Sequence, residues 1–227
     1  MSRFNIFNQI HKSLRVLLYD TAGLIGRTDF EDADQYATVA KRVREVTSVF
    51  DKHAHHEDTL LLPMIERYEP SVVDAFEQEH VADHELSRQL NDSLIALDLA
   101  VAASARQELG IALMHSFISF MVFNLQHMHK EETVLNNILW KYYSDSDLLD
   151  TNRKIVSSIP PQEMEFSSAW MMRGLSNVEI TTWLRNVQRT APEQVFRPLY
   201  QTAEKELDVV RFRKIREGLT EEVMIAS

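Results

Sequence analysis

Apolar residues return at three- and four-residue steps through four long stretches of the chain, the pattern of helices that each bury one face. The first stretch covers about residues 3–25, with Phe4, Phe7, His11, Leu14 and Leu18 in step. A polar connection near Arg27–Asp34 leads into a second, from Ala33 to about Leu62, ended by Pro63 and Pro70. Pro70 suits the first turn of a third, which runs to about Ala103. The fourth spans about Ala105 to Trp140, with Met114, Phe117, Met121 and Leu125 on its inward face. Four long helices with short connections predict an all-α, up-down-up-down four-helix bundle.

After Tyr142 the character of the chain changes. Shorter helical segments are expected near Leu148–Ser157, after Pro160-Pro161, from the capping box Ser176-Asn-Val-Glu179, and beyond Pro192. The expected organisation is therefore a bundle over 1–145 and a smaller helical extension over 146–227. Trp170, Met171, Met172, Trp183, Leu184 and Leu199 give the extension apolar faces of its own, which fit a lid, a homodimer contact or a docking surface for a protein partner.

Composition agrees with helices: only 5 Gly and 6 Pro in 227 residues, and no Asn-Gly or Asp-Gly hairpin turn. The net charge of −10 is concentrated in residues 1–145, which carry 13 basic and 22 acidic side chains. An acidic surface repels phosphate backbones, so nucleic acid is not an expected partner. The absence of cysteine removes disulfides, thiolate zinc sites, iron–sulfur clusters and thiol nucleophiles together. The first 25 residues break their short apolar runs with Arg3, Lys12, Arg15 and Asp20, so neither a secretory signal nor a membrane span is expected and the default compartment is the cytoplasm.

The chemistry sits in a phrase that occurs twice. His53-Ala-His-His-Glu57-Asp58-Thr59-Leu60-Leu61 and His127-Met-His-Lys-Glu131-Glu132-Thr133-Val134-Leu135 both read His-x-His-x-Glu-acidic-Thr-aliphatic-Leu. On a helix the first His and the Glu stand one turn apart on one face, offering a nitrogen and an oxygen to one point. His55 and His56 are turned about 200° and 300° from His53 and cannot share that face. His55 and His129 are expected outside the site, and Asp58 and Glu132 are expected as solvated helix-face charges. All 9 histidines lie between residues 11 and 129, with at least one on each predicted bundle helix. Imidazoles and carboxylates turned into an apolar interior are costly to bury unless paired or coordinated. The set suits a divalent metal, iron, manganese or zinc, and carboxylates that bridge suit two ions. On the third helix His80 and His84 stand four apart; His84 heads the repeat Leu86, Leu90, Leu94 and Leu97 and is the favoured ligand, with His80 the second choice.

His11 on the first helix, His53-x-x-x-Glu57 followed by Leu-Leu-Pro, a His on the third helix, and His127-x-x-x-Glu131 together resemble the hemerythrin-like, or HHE cation-binding, domain, over residues 1 to about 142. The resemblance implies a bundle around a non-haem di-iron centre with an oxo or hydroxo bridge. It also implies His11, His53, His84 and His127 as terminal ligands, Glu57 and Glu131 as bridges, and an open position for O2, NO or peroxide. A small diatomic or peroxide is then the expected ligand, and binding or sensing it, or iron, the expected function. The alternatives are a redox enzyme (peroxide or NO reduction, or repair of iron centres) and a regulatory module that signals through its C-terminal helices. Ferritin-like oxygenases use the order Glu-x-x-His, whereas here His precedes Glu.

Overall fold

The structure is a computed structural model that describes residues 3–225. The chain is all-helical, as the periodicity predicts, and no strand occurs among the described residues. Helix α1 is Asn8–Gly26 and α2 is Ala33–His56; a π-helical turn, Glu57–Leu61, carries α2 into α3, Leu62–Glu66. Then come α4, Pro70–Leu99, and α5, Ala103–Lys130, which a second π turn, Glu131–Leu135, extends into α6, Asn136–Tyr142. The rest is α7 (Asp145–Ser158), α8 (Pro161–Gly174), α9 (Asn177–Thr190), α10 (Glu193–Glu206) and α11 (Val209–Ile225).

Local chemistry sets the boundaries. The Asp32 carboxylate accepts hydrogen bonds from the backbone N–H groups of Asp34 and Gln35 and so starts α2. Pro70 and Pro161 occupy first turns, where a missing N–H costs nothing. Ser176 and Glu179 form the expected capping box at α9.

The chain divides into two compact units. The first comprises the residues up to Phe7 together with Leu17–Ser157. The predicted change at 145–146 coincides with the start of α7, but α7 groups with this first unit. Within it α4 packs along α5 and against α2. One apolar cluster gathers Ile6, Phe7, Leu61, Leu62, Ile65, Val73, Phe76, Leu135, Leu139 and Leu148. Val43, Val46, Leu90, Leu94, Leu97, Leu113 and Phe117 are buried as well, and the Phe50 and Phe120 rings meet edge-to-face at 5.3 Å. Each such side chain contributes about 1.5–3 kcal/mol on burial. The run Ala103–Tyr142 is long and apolar enough to cross a membrane by length and composition alone, a test that core helices also pass.

The second unit comprises Asn8–Val16 and the chain from Ser158 onward. Met172, Leu175, Ile180, Leu184, Ala203, Leu207 and Ile215 make its core, with α8 packed on α10 and α9 on α11. The Glu179 carboxylate accepts from the Lys12 ammonium at 2.5 Å and from the Asn8 amide at 2.9 Å, tying the start of α9 to the start of α1. Arg211 donates to the Leu175 carbonyl and to the Asn177 side chain.

Glycine matters where α8 ends. A Cβ at Gly174 would stand 2.8 Å from the Lys12 carbonyl oxygen and 3.0 Å from its carbon, both backbone atoms that cannot turn aside. Gly174→Ala is expected to destabilise by about 1–3 kcal/mol. Gly23→Ala meets only the Arg27 side chain at 3.5 Å and is expected to stabilise by about 0.5–1 kcal/mol. Thermal unfolding of the two variants checks both, and midpoints that move the same way contradict the packing described.

Candidate metal centre

Both copies of the repeated phrase change helix type at the same residue. The α-helical turns end at His56 and Lys130, and the π turns begin at Glu57 and Glu131. Each π turn closes by a longer hydrogen bond, from Leu62 N–H to the Glu57 carbonyl and from Asn136 N–H to the Glu131 carbonyl. A π turn inside an α-helix is rare and concentrates at functional sites. The threonine of each phrase supports it: the Thr59 hydroxyl donates to the His55 carbonyl at 2.6 Å and the Thr133 hydroxyl to the His129 carbonyl at 2.7 Å. Thr in this phrase thus gives the preceding turn an extra donor.

The two glutamates are buried and lie together. Glu57 and Glu131 are 1 % and 0 % exposed. His53 Nε2 is 3.1 Å from Glu57 Oε1, and His127 Nε2 is 3.1 Å from Glu131 Oε1, the one-turn pairing expected from the sequence. His80 Nε2 approaches Glu57 Oε2 at 3.5 Å and His127 Nε2 at 3.1 Å. Glu57, His80, His127 and Glu131 each offer one donor atom within 4.8 Å of the others, as do His53, Glu57 and Glu131. The two sets share both carboxylates.

Outside these sets stand further carboxylates. His80 Nδ1 bonds Asp58 Oδ1 at 2.6 Å, and His127 Nδ1 bonds Glu79 Oε2 at 2.8 Å. Lys130 holds the other Glu79 oxygen. One turn along α4 from Glu79 and His80, buried Asp83 accepts from the Asn124 amide at 2.6 Å. Burial pushes the Asp83 carboxyl up.

The electrostatics are those of a site built for a cation. Burial lifts the Glu57 carboxyl well above the ordinary carboxylate range, and the Glu131 carboxylate facing it pushes the same way. For His127, burial opposes the charge, but the Glu131 and Glu79 carboxylates outweigh it and raise it to about 9. Burial also works against the Glu79 charge, yet Lys130 and His127 hold this carboxyl below its ordinary value. The donors are all imidazole nitrogen and carboxylate oxygen, which fits iron, manganese or zinc. A divalent ion held here would offset the repulsion between two buried carboxylates.

Of the residues expected from the sequence, His53, Glu57, His127 and Glu131 come together in this way. His11 is wholly buried on α1, in the stretch that groups with the second unit. His84 does not join: its side chain is 54 % exposed and pairs with Asp51 at 3.1 Å. His80, the second choice, takes the third-helix place. The buried positions of α4 run Val73, Phe76, His80, Asp83, Ser87, Leu90, Leu94, Leu97, alternating steps of three and four. Asp83 and Ser87 are polar members of that stripe, so an apolar count starting at Leu86, which is only half-buried, points to His84 instead. Asp58 also departs from expectation, since it grips His80 rather than facing only solvent. His55 and His129 are exposed, as expected.

Two tests follow from this geometry. With zinc as a probe, His80→Ala is expected to lower divalent-cation uptake and His84→Ala to leave it unchanged, read by equilibrium dialysis; the reverse ranking restores the sequence preference. The second concerns pH in the metal-free chain. There the folded state keeps protons that the unfolded chain has released, on Glu57 above the ordinary 4.5 and on His127 between 6.5 and about 9. Both make stability fall as pH rises; the His127 contribution is complete below 6.5 and lost through about 9. In excess chelator the melting temperature should therefore drop from pH 6.5 to 9, and zinc should flatten that slope by displacing the protons. A slope that zinc leaves unaltered counts against the cluster as the cation's seat.

No curated protein and no solved structure matches the chain. The sequence profile of the hemerythrin HHE cation-binding domain matches residues 3–139, the stretch that contains both π turns and every histidine. The chain therefore belongs to the hemerythrin HHE cation-binding domain family, whose domain binds metal cations, and the buried cluster of His80, His127, Glu57, Glu131 and His53 is where its donors converge.

Proposed function

We propose that the chain is a non-haem di-iron protein that binds or senses a small ligand, O2, NO or peroxide, or iron itself, at the interior of an up-down-up-down four-helix bundle. One observation carries this reading: two groups of donors share the same two buried carboxylates, Glu57 and Glu131. A shared carboxylate suits a pair of ions held side by side. Glu57 and Glu131 would be the carboxylates shared by both ions, and His53, His80 and His127 would each supply a nitrogen to one. His11 is the first-helix ligand that the resemblance implies, and its complete burial fits that place. When bound, iron supplies one-electron chemistry and an acceptor for small ligands. The protein's share is to hold these donors together, with both carboxylates fully buried.

Anaerobic loading with ferrous iron followed by metal analysis and optical absorption before and after O2 tests this. About two irons per chain are expected, with Glu57→Ala or Glu131→Ala losing at least one and the exposed His129→Ala keeping both. Less than one iron per chain in the unsubstituted protein, or equal content in all three variants, overturns the reading.

A further inference from the structure

Two carboxylates outside the donor cluster each hold the far nitrogen of a donor imidazole. Asp58 is the residue after Glu57 in the first π turn and reaches across to His80 on α4, Oδ1 to Nδ1 at 2.6 Å. Glu79, the residue before His80 on α4, reaches across to His127 on α5, Oε2 to Nδ1 at 2.8 Å. The contacts form a chain: first π turn to α4, α4 to α5. In both, the nitrogen turned toward the carboxylates of the cluster is Nε2. Lys130 keeps Glu79 in place from its other side.

We propose that Asp58 and Glu79 are positioning residues for the metal centre, each fixing one histidine with its proton on Nδ1 and its Nε2 lone pair aimed at the ion. The inference rests on the metal reading given above and adds to it a role for Asp58, which the sequence reads as a solvated charge, and for Glu79, which lies outside the repeated phrase. An imidazole can carry its proton on either nitrogen, and only the unprotonated one binds metal. A carboxylate at Nδ1 accepts that proton, selects the binding-competent tautomer, stops the ring from turning and makes Nε2 more basic. The two straps also fix the helices carrying the histidines relative to the π turn bearing Glu57.

The structure contains its own control. Asp51 and His84 make a carboxylate–imidazole pair of similar kind, Oδ1 to Nδ1 at 3.1 Å, but the His84 side chain is 54 % exposed and stands outside the cluster. A generic effect of removing a carboxylate from a histidine would appear at all three pairs; positioning of a metal ligand appears at two.

The test uses the full chain, zinc as a diamagnetic probe, and the substitutions Asp58→Asn, Glu79→Gln and Asp51→Asn, with Glu79→Asp as the conservative variant. Zinc affinity is measured by competition with a chromophoric chelator, and nitrogen-15 long-range spectra of the zinc-loaded protein report which histidine nitrogen carries the proton. Asp58→Asn and Glu79→Gln are expected to weaken zinc binding by about 10–100-fold. Each is also expected to shift or lose the Nδ1–H resonance of one histidine, His80 or His127 respectively. Glu79→Asp should restore part of the affinity, and Asp51→Asn should match the unsubstituted protein in both readouts. Unchanged affinity and unchanged Nδ1–H resonances in Asp58→Asn and Glu79→Gln overturn the positioning role while leaving the metal reading intact. An unsubstituted chain that takes up no zinc overturns the metal reading itself, so the two failures are distinct.

Discussion

Two carboxylates facing each other in a dry interior are the constraint to which the rest of this structure answers. Glu57 and Glu131 are both buried, and burial and mutual repulsion act together to push the Glu57 carboxyl well above the ordinary carboxylate range. Neither the helices nor the apolar side chains around the pair relieve that. Three imidazoles within reach do so partly, and a divalent ion does so fully.

The backbone is adapted to the same end. Each glutamate opens a π turn, and each π turn is backed by a threonine hydroxyl donating to a carbonyl one turn earlier. This gives the repeated phrase a structural meaning beyond its ligands. His and Glu set the donors, while Thr and the aliphatic-Leu pair serve the change of helix type and the return to the apolar cluster at Leu61 and Leu135. Carboxylates on neighbouring elements then hold the outer edges of two imidazoles, so the centre is braced from outside as well as filled from inside.

Much of this was legible in the sequence because helical periodicity and one-turn spacing are local. The long helices, the capping box at Ser176, and the pairs His53 with Glu57 and His127 with Glu131 all follow from residues a few positions apart. What was not legible depended on the identity of neighbours from elsewhere in the chain. His84 looked like the third-helix donor because leucines follow it at helical spacing; the inward stripe in fact passes through Asp83 and Ser87, whose polarity hides it from an apolar count. Tracing the three-and-four alternation back from Leu97 would have reached His80. The π turns left a trace, the identical Thr in both copies, but one whose meaning needs the backbone. Asp58 left only the acidic position shared by both copies and Glu79 left no trace, since a carboxylate on a helix surface is ordinary until the facing histidine is known. The division of the chain was only partly readable too: the first turns of α1 group with the extension through Lys12, Asn8 and Glu179, contacts about 170 residues apart in sequence that no composition shift announces.

The central claim is that Glu57 and Glu131 are shared by two ions, with His80 and not His84 among the donors. Anomalous X-ray diffraction at the iron edge, on crystals of the iron-loaded protein, tests it most directly. The account predicts two peaks about 3.5–4 Å apart, both bordered by Glu57 and Glu131, one of them in contact with Nε2 of His80 and His127. A single peak that touches only one of the glutamates, or a peak beside His84 and Asp51, would contradict it.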